Sequence, residues 1–226
     1  MFKFDGDILR KIAPVLAPLE AKEWADAFNL VSPMYDINSA DIFHEFLANV
    51  LHESDNLKRL AEGLNYSVES LLKKFGRHRI SVEDAERFGR KKGQRANQVM
   101  LANILYGGPW GLENLGNTKP SDGWELRGAG PIQITGRRNF TLFWIWMNKF
   151  HGFNGTLKQL AELIRTDKVI AVHSACWVFA IAKKLIDEAI DDKMDKIVKR
   201  INGGFFGMTD RMEKLQLCKM HIVDLA

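Results

Sequence analysis

An apolar stripe at helical spacing, followed by an acidic residue, constrains the fold of this chain more than any other feature. At about 100° per residue, Glu53 falls within roughly 20° of both Ile42 and Phe46, at the centre of the apolar face. The stripe consists of Ile42, Phe43, Phe46, Leu47, Val50 and Leu51. A carboxyl on such a face loses hydration, which favours its protonated form and predicts that Glu53 can donate a proton near neutral pH. The alternative is a solvated side chain on a frayed last turn.

Helical periodicity recurs along the chain, whereas strand signals are sparse. The pattern predicts helices at Asp7–Phe28 (with a break near Pro14 to Pro18), Ser39–Glu53, Ser67–Phe75, Ser81–Gly89, Gln94–Tyr106, Asn139–Phe150, Thr156–Ile164, Lys168–Ile186, Met194–Ile201 and Asp210–Ile222. Only Glu125–Arg127 and Ile132–Thr135 have strand character. The Gly- and Pro-rich segment from Gly107 to Gly123 predicts a long irregular loop, which in a compact domain is usually functional or mobile. The sequence therefore predicts a mostly α fold.

Length and composition indicate one globular domain. With 226 residues, 46% of them hydrophobic, the chain can bury a sizeable core. No linker, repeat or low-complexity tract interrupts it, so we predict a single domain over residues 1–226. The two cysteines, Cys176 and Cys218, do not make a disulfide framework, and Cys176 is predicted to be a small core residue. Three tryptophans in apolar runs are also predicted to lie in the core: Trp144, Trp146 and Trp177.

Positive charge is concentrated in one stretch. The net charge is only +4, yet the segment from Lys73 to Arg95 holds nine Lys or Arg residues against three Asp or Glu residues. A solvated helical face would account for this stretch, and so would attraction to an anionic polymer or lipid. It contains no nucleic-acid-binding motif, so nucleic acid is not a predicted partner.

Residues 1–20 lack the continuous apolar region of a signal peptide, and no apolar run is long enough to span a bilayer, so no stable membrane anchor is expected.

Motifs that carry chemistry occur in a fixed order over most of the chain. They are His52-Glu53-Ser54, Glu62-Gly-Leu-Asn-Tyr-Ser67, Ala102-Asn-Ile-Leu-Tyr-Gly-Gly108, Asp122-Gly-Trp124, Arg127-Gly128, Gly130-Pro-Ile-Gln-Ile-Thr-Gly-Arg137 with Asn139, and Ile201-Asn-Gly-Gly204 with Asp210-Arg211. Together, from Asn38 to Arg211, they resemble the pattern of glycoside hydrolase family 19, and specifically its bacteriophage endolysin branch.

The resemblance implies a fold, a reaction and a place of action. It implies a lysozyme-like helical fold with two lobes around a glycan-binding cleft, and inverting hydrolysis of β-1,4-linked N-acetylated sugars. The expected protein is an endolysin that hydrolyses the glycan strands of peptidoglycan and lyses the host, with no separate wall-binding module. We expect a monomer made in the host cytoplasm without a signal peptide, which acts on the cell wall after release through the inner membrane. A chitinase on the same scaffold and a non-catalytic glycan-binding module are the alternatives.

Inverting hydrolysis needs a second carboxyl, and Glu62 is the candidate. One group protonates the leaving oxygen and the other activates water, with the two carboxyls about 6.5–9.5 Å apart. On one continuous helix, Glu53 and Glu62 would be about 13.5 Å apart along the axis and on opposite faces. The helix must therefore end before Glu62, although residues 56–61 contain no compelling helix breaker. Asp55 and Glu69 are the nearby substitutes, and a surface role for Glu62 is the alternative.

The resemblance assigns further side chains to the cleft. Thr135 is predicted to orient the attacking water, while Gln133 two residues earlier faces the same side and binds an acetamido group. The other predicted substrate-binding residues are Asn139, Asn202, Arg211, Tyr66 and Trp124. Helix capping is the alternative for Thr135 and Asn139, and simple packing is the alternative for Trp124. Arg211 is expected near Glu53, where its positive charge would oppose the effect of burial on the Glu53 proton, so their relative geometry decides the resting protonation state.

Two departures from the family pattern limit the assignment of these residues to the cleft. Phe205 and Phe206 stand where plant chitinases have an acid after Asn-Gly-Gly, and Ala129 replaces the second Arg of Arg-Gly-Arg-Gly.

His44-Glu45 and His52-Glu53 each begin a zinc-protease motif. The positions four residues after the two histidines are Ala48 and Asn56, so neither motif has its second ligand. We therefore predict no metal and no other cofactor.

Overall fold

The computed structural model describes residues 2–224, and this part of the chain is mostly helical. It contains 14 α-helices, one 3₁₀ segment and one π-helical segment, while β-structure is limited to isolated bridges. The predicted mostly α fold is confirmed. No helix within residues 2–224 is both long enough and apolar enough to cross a bilayer. The chain divides into two compact units, called unit 1 and unit 2 below.

Unit 1 contains the described residues up to Leu60, the short segment Gly130–Ile132 and the described residues from Leu163 onward. Its helices are α1 (Gly6–Ile12), α2 (Pro18–Val31), α3 (Ala40–Glu53), α11 (Lys168–Cys176), α12 (Ile186–Ile190), α13 (Met194–Asn202) and α14 (Met208–His221), and the end of α10 (Leu157–Thr166) also belongs to it. The predicted break between α1 and α2 is confirmed, because α2 begins at Pro18, where a proline without a backbone N–H is tolerated.

The helix α3 lies in the centre of unit 1. All residues from Ile42 to Leu51 are buried, including the polar ones. Phe43 and Phe46 contact Phe28 of α2, with ring centroids 5.9 and 6.0 Å apart respectively, and Phe46 also contacts Phe179 at 5.3 Å. Burial of such aromatic side chains contributes about 1.5–3 kcal/mol each, so α3 is held by packing on several sides.

The helix α3 ends at Glu53, as the two-carboxyl hypothesis requires. The Ser54 hydroxyl donates to the Val50 carbonyl at 2.6 Å and accepts from the Leu57 N–H at 2.8 Å, which closes the last turn. Three consecutive residues, Asp55, Asn56 and Leu57, then have positive φ angles of 52°, 55° and 67°. L-residues rarely adopt this left-handed conformation, so the turn is costly and must be stabilised by the buried Ser54 and Leu57.

Unit 2 contains residues Ala61–Ala129 and Gln133–Glu162. Its helices are α4 (Val68–Lys74), α5 (Val82–Phe88), α6 (Gln98–Leu105), α7 (Gly108–Leu115), α8 (Asp122–Glu125) and α9 (Gly136–His151), together with the first part of α10. A compact core joins α4, α5 and α6, and its fully buried residues are Leu64, Leu71, Ile80, Ala85, Leu101, Ala102 and Leu105. Ser67 and Ser81 cap α4 and α5 by accepting backbone N–H groups, as their positions before the apolar runs predict.

Several sequence predictions in unit 2 were wrong in detail. The predicted loop from Gly107 to Gly123 contains α7, which begins with Pro109 in its first turn and ends at the left-handed Gly116. The predicted strand Glu125–Arg127 is instead the end of α8 and the residues after it. Of the predicted strand Ile132–Thr135, only Ile134 forms a bridge, and its partner is Ala129.

Two long helices also begin or end elsewhere than predicted. The predicted helix Gln94–Tyr106 begins only at Gln98, because Lys91 and Gln94 pair across a tight turn at Gly93. The predicted helix Lys168–Ile186 changes to π-helical geometry at Trp177–Ala182 and ends there, two residues before Lys184, whose φ is 51°. Among the predicted core tryptophans, Trp177 is buried as expected, whereas Trp144 and Trp146 are only half-buried on the amphipathic α9. Cys176 and Cys218 are both buried and free.

The buried acid Glu45 on α3 makes the stability of unit 1 depend on pH. Both of its carboxyl oxygens lie away from solvent without a hydrogen bond of ordinary geometry, and the nearby charges are those of Lys219 and Asp192. Burial, only partly opposed by Lys219, raises the pKa of Glu45 to about 7. Asp192 accepts a hydrogen bond from Lys219 at 2.5 Å, which lowers the pKa of Asp192 and keeps it charged. Folding therefore favours the protonated form of Glu45.

We predict that Glu45→Gln removes a loss of stability that wild type shows as the pH rises. The unfolded carboxyl ionises near its ordinary pKa of 4.5, whereas the folded one ionises near 7, so stability falls across that window and then levels off. The difference corresponds to about 3 kcal/mol. Urea unfolding at pH 4.5 and pH 7.5 measures it, with Asp41→Asn, an exposed acid on the same helix, as the control. Equal pH dependence in wild type and Glu45→Gln would contradict the assignment.

Candidate functional site

In unit 1 the carboxyl of Glu53 is held by a buried arginine from α14. Arg211 is fully buried and donates through Nη2 to Oε1 of Glu53, while its Nη1 donates to Oδ1 of Asn49 at 2.5 Å. The Glu53 side chain retains 23% of its exposure, so it has access to solvent as well as a fixed partner. Asn49 lies one turn before Glu53 on α3, and its Nδ2 donates to the Glu45 carbonyl at 2.8 Å. The structure thus places Arg211 against Glu53.

The residues preceding Glu53 and Arg211 form a second contact between α3 and α14. Nδ1 of His52 is 2.6 Å from Oδ2 of Asp210, and the other Asp210 oxygen accepts from Lys214 at 2.6 Å. Partial burial raises the pKa of Asp210, but the hydrogen bonds from Lys214 and His52 outweigh this effect and lower it below its ordinary value. A charged Asp210 between two donors therefore fixes the end of α3 to the start of α14.

The predicted cleft residue Asn202 lies at the exposed C-terminus of α13. Its Oδ1 accepts from the Gly204 N–H at 3.1 Å and its Nδ2 donates to the Phe206 carbonyl at 3.4 Å, so the side chain organises the loop between α13 and α14. Phe205 and Phe206, which stand where the family resemblance would lead us to expect an acid, are on this loop, with 58% of Phe205 and 80% of Phe206 exposed. Neither can supply a charge to Glu53.

In unit 2 the carboxyl of Glu62 accepts two hydrogen bonds. The Tyr106 hydroxyl donates to Oε1 at 2.5 Å, and the Gly128 backbone N–H donates to Oε2 at 3.1 Å. The Glu62 N–H in turn donates to the Gly128 carbonyl at 2.9 Å, so main chain and side chain both bind the same glycine. Glu62 is therefore an oriented, partly buried acid, unlike the surface residue of the alternative interpretation.

Gln133 lies beside Glu62 at the same glycine. A Cβ atom on Gly128 would collide with Oε1 of Gln133 and would come within 3.1 Å of Cβ and 3.3 Å of Oε2 of Glu62. Any larger residue at position 128 would displace the Gln133 amide and press on the Glu62 side chain, which gives a physical reason for Arg127-Gly128 in the motif. Gln133 itself has a φ of 47°, a strained conformation that directs its side chain independently of any strand register.

Thr135 and Asn139 belong to the start of α9. Thr135 is the residue before the helix, but its hydroxyl donates to the Gln133 carbonyl at 3.0 Å and does not cap a helical N–H. Asn139 is exposed in the first helical turn, and its Nδ2 donates to the Thr135 carbonyl at 3.0 Å. The helix begins at Gly136, three residues earlier than predicted, so the capping alternative is wrong for both side chains.

Tyr66 and Trp124, the remaining predicted substrate contacts, are partly buried in unit 2. The Tyr66 ring packs against Phe75 with centroids 5.5 Å apart, and burial raises the pKa of the Tyr66 hydroxyl. The guanidinium of Arg127 covers one face of the Trp124 ring at 3.6 Å from its centroid. Both rings therefore have packing roles, and the sugar contacts assigned to them stay predictions.

A buried ion pair supports the Glu62 region from within unit 2. Asp122 is fully buried and accepts from Nε of Arg137 at 2.7 Å, from Nη2 of the same residue, and from the Thr118 and Lys119 N–H groups. Burial raises the pKa of Asp122, but these hydrogen bonds outweigh it and lower the pKa below its ordinary value. Asn117 links the pair to Tyr106, because its side chain accepts from the Arg137 N–H and donates to the Tyr106 carbonyl, both at 2.8 Å.

Sequence reasoning did not single out Asn49 and Tyr106. Asn49 had one signal, a polar residue inside an apolar stripe four positions before Glu53. Tyr106 was part of a quoted motif, but nothing in its neighbourhood pointed to a residue 44 positions earlier. Within residues 2–224, no three His, Cys, Asp or Glu side chains are close enough together to share a metal ion.

Comparison with known proteins identifies the family. No family model matches the chain. A curated protein of Haemophilus influenzae, named "Glycosyl hydrolase family 19 domain-containing protein", is 30% identical to it over 176 residues, which span 78% of this chain and 74% of that protein. This chain belongs to glycosyl hydrolase family 19, and it is by class a glycoside hydrolase.

We predict that Asp122→Asn destabilises the protein by about 3 kcal/mol, because it leaves the Arg137 guanidinium without its buried counter-charge. The matched control is Lys158→Met, which removes an exposed pair with Glu125 in the same unit and should cost less than about 1 kcal/mol. Urea unfolding followed by circular dichroism measures both. Similar losses for the two variants would contradict a structural role for the buried pair.

Proposed function

We propose that this chain is an endolysin of the bacteriophage branch of the family, which hydrolyses β-1,4 glycosidic bonds in the glycan strand of peptidoglycan with inversion. The observation that carries the proposal is that two candidate carboxyls each have dedicated hydrogen-bond donors. Arg211 holds Glu53, while Tyr106 and Gly128 hold Glu62. Carboxyls oriented in this way can serve as the acid and the base of glycoside hydrolysis.

Glu53 is the proposed general acid. Its Oε1 is occupied by Arg211, and within residues 2–224 its Oε2 accepts no hydrogen bond, so Oε2 is the oxygen from which a proton would pass to the leaving sugar. The position of Glu53 at the last residue of α3 supports this role, since its side chain is fixed by a buried partner and still reaches solvent. Arg211 would also attract the negative charge that remains on Glu53 after proton transfer.

Glu62 is the proposed general base. Each of its oxygens accepts one protein hydrogen bond and has a further lone pair with which to accept a proton from water. The Thr135 hydroxyl, which uses its own proton to bind the Gln133 carbonyl, can accept a hydrogen bond from the same water. Gln133 would bind the acetamido group of the sugar next to the scissile bond.

The inverting assignment carries a geometric requirement. In the working enzyme, Glu62 must face Glu53 across one groove with about 6.5–9.5 Å between the carboxyls, to leave room for water and the sugar ring. Gln133, Thr135 and Asn202 are proposed to line that groove. The end of α3 at Glu53 satisfies one condition of this arrangement, because a continuous helix to Glu62 could not satisfy it.

The proposed site of action is the cell wall, reached from the host cytoplasm after release through the inner membrane. The proposed partner is the peptidoglycan glycan strand, whose N-acetylated β-1,4 sugars fit the family chemistry. Chitin has the same linkage, so its hydrolysis is the alternative activity to be measured. A non-catalytic glycan-binding module would bind the strand without cleaving it.

Glu53→Gln is expected to reduce the lysis of cell walls by at least about 100-fold, because it removes the donated proton and retains the shape of the side chain. The amide oxygen can still accept from Arg211, so the variant should remain folded. Turbidity clearance by purified protein measures the loss. Glu213→Gln, an exposed acid on α14, is the control and should be fully active. Near wild-type clearance by Glu53→Gln would eliminate this residue from the mechanism.

The products of digested peptidoglycan distinguish the remaining possibilities. Mass spectrometry should find reducing-end sugars with one added water and no anhydro-muramyl ends, while proton NMR of the first product should give the inverted anomer. Cleavage of chitin oligomers alone would favour a chitinase. Anhydro-muramyl products would indicate a transglycosylase, which needs only one acid, and binding without cleavage would indicate a glycan-binding module.

The positively charged stretch from Lys73 to Arg95 predicts that the rate of lysis depends on salt concentration. Arg90, Lys92 and Arg95 are exposed on the turn around Gly93, whereas Lys91 pairs with Glu86 at 2.9 Å. Replacing these three exposed cations with Gln should slow lysis of whole envelopes several-fold at low salt and have little effect near 0.5 M salt, where charges are screened beyond a few ångströms.

The control for the salt experiment is the triple variant Arg10→Gln, Lys11→Gln and Lys196→Gln, which removes the same charge from exposed positions in unit 1. Rates on a short neutral oligosaccharide should be unchanged in both triple variants. If the Arg90, Lys92 and Arg95 variant loses equal activity on envelope and oligosaccharide, the stretch is structural and does not attract the enzyme to its substrate.

A further inference from the structure

The Tyr106 hydroxyl is the closest donor to the proposed base. It donates to Oε1 of Glu62 at 2.5 Å, which is within the range of hydrogen bonds between a hydroxyl and a carboxylate. Burial raises the pKa of Tyr106, and the charge of Glu62 and their hydrogen bond raise it further. The hydroxyl therefore keeps its proton across the physiological range and is always available as a donor.

The place of this hydroxyl is set by the framework of unit 2, independently of Glu62. Tyr106 follows the last residue of α6, and its N–H donates to the Ala102 carbonyl at 2.9 Å. Its carbonyl accepts from Asn117, which also binds the N–H of Arg137. The ring packs against the buried core of the unit. Main chain and ring are both fixed, so the hydroxyl has one position.

Glu62, in contrast, belongs to a segment without regular secondary structure. The six residues from Ala61 to Tyr66 form no helix, and the Glu62 main chain is held by its bond to the Gly128 carbonyl. Three rotatable bonds separate that main chain from the carboxyl oxygens, so the carboxyl orientation depends on its two donors. Only one of them, Tyr106, is a side chain that can be altered without changing the backbone.

We propose that Tyr106 is a positioning residue whose hydroxyl holds the Glu62 carboxylate in the orientation that activates water. This inference rests on the proposed function, in which Glu62 is the general base. Misplacing a reacting group by about 1 Å can cost on the order of 100-fold in rate. Tyr106→Phe should therefore lower kcat by about 10- to 100-fold and leave KM within about twofold, since the tyrosine does not contact the sugar itself.

The experiment compares a natural substrate with one that needs no acid. Each variant is assayed on an N-acetylated β-1,4 oligosaccharide and on the corresponding 2,4-dinitrophenyl glycoside, whose leaving group departs without a proton. The defect of Glu53→Gln should shrink strongly on the aryl glycoside, because the acid is bypassed. The defect of Glu62→Gln should persist, because water must still be activated. The defect of Tyr106→Phe should also persist, at a smaller size than that of Glu62→Gln.

The control removes the hydroxyl of a buried tyrosine that belongs to unit 1. Tyr35 contacts Nδ1 of His173 at 3.0 Å, so Tyr35→Phe deletes a comparable contact that does not involve Glu62. It should lower the melting temperature to a similar extent as Tyr106→Phe, with no change in kcat on either substrate. Loss of activity through general destabilisation would appear in both variants.

The outcomes distinguish the positioning role of Tyr106 from the role of Glu62 as the base. Wild-type kcat for Tyr106→Phe beside an inactive Glu62→Gln would overturn the positioning role and leave the base assignment standing. Full activity of Glu62→Gln would instead overturn the base assignment in the proposed function. A Tyr106→Phe defect that shrinks together with that of Glu53→Gln would place the hydroxyl on the acid side of the reaction and also overturn the inference.

A second variant covers the case in which Tyr106→Phe does not fold. Replacing Tyr106 with 4-fluorophenylalanine fills nearly the same volume at the end of the ring but removes the donated proton. The Glu62 carboxylate then keeps only its hydrogen bond from the Gly128 N–H, so kcat should fall about 10- to 100-fold at constant KM. An unchanged kcat for the folded fluorophenylalanine protein would overturn the positioning role.

Discussion

Burial of α3 on nearly every side is the constraint on which the rest of unit 1 depends. A helix in that position must find partners for each polar side chain that it carries into the core, because an unpaired buried polar group costs about 1–3 kcal/mol. Asn49 and Glu53 share one hydrogen-bond partner, because the Arg211 guanidinium donates to both side chains. Glu45 accepts no hydrogen bond of ordinary geometry, and burial raises its pKa to about 7 instead. The same burial therefore orients the proposed acid at the end of the helix and places a pH-dependent residue in its middle.

In unit 2 the carboxyl of Glu62 must be oriented although Glu62 lies outside any helix or strand. A chain of contacts orients it, running from the buried Asp122 through Arg137 and Asn117 to Tyr106. The hydroxyl at the end of that chain and the Gly128 N–H together hold Glu62. Three residues far apart in the sequence, Asn117, Asp122 and Arg137, therefore form a structural set whose effect on the reaction is indirect.

Much of the helical architecture could be predicted from periodicity and capping, because those signals are local. The apolar stripe before Glu53 and the serines at positions 39, 67 and 81 each mark a helix that the structure contains. Errors arose where a local signal was ambiguous. Glycines and prolines from Gly107 to Gly123 suggested a loop, yet Pro109 lies in the first turn of α7 and Gly116 follows its end, positions at which both residues favour a helix. The turn after Glu53 had only a weak sequence signal, because Asp55 and Asn56 tolerate the left-handed conformation but no glycine or proline accompanies them, and Leu57 adopts it as well.

The sequence by itself determined the class of fold, the family resemblance and the identity of Glu53 and Glu62 as candidate acids, because helical period and ordered motifs are properties of the chain alone. The family resemblance also placed Arg211 near Glu53, whereas only the tertiary structure decided the hydrogen bonds that hold the two acids and identified Tyr106 as the partner of Glu62. Arg211 is 158 residues from Glu53 and Tyr106 is 44 residues from Glu62, and no periodicity links such distant positions. Hydrogen bonds depend on distance and direction in space, so the partners of a carboxyl are fixed only when α14 packs on α3 and when Asn117 secures the end of α6.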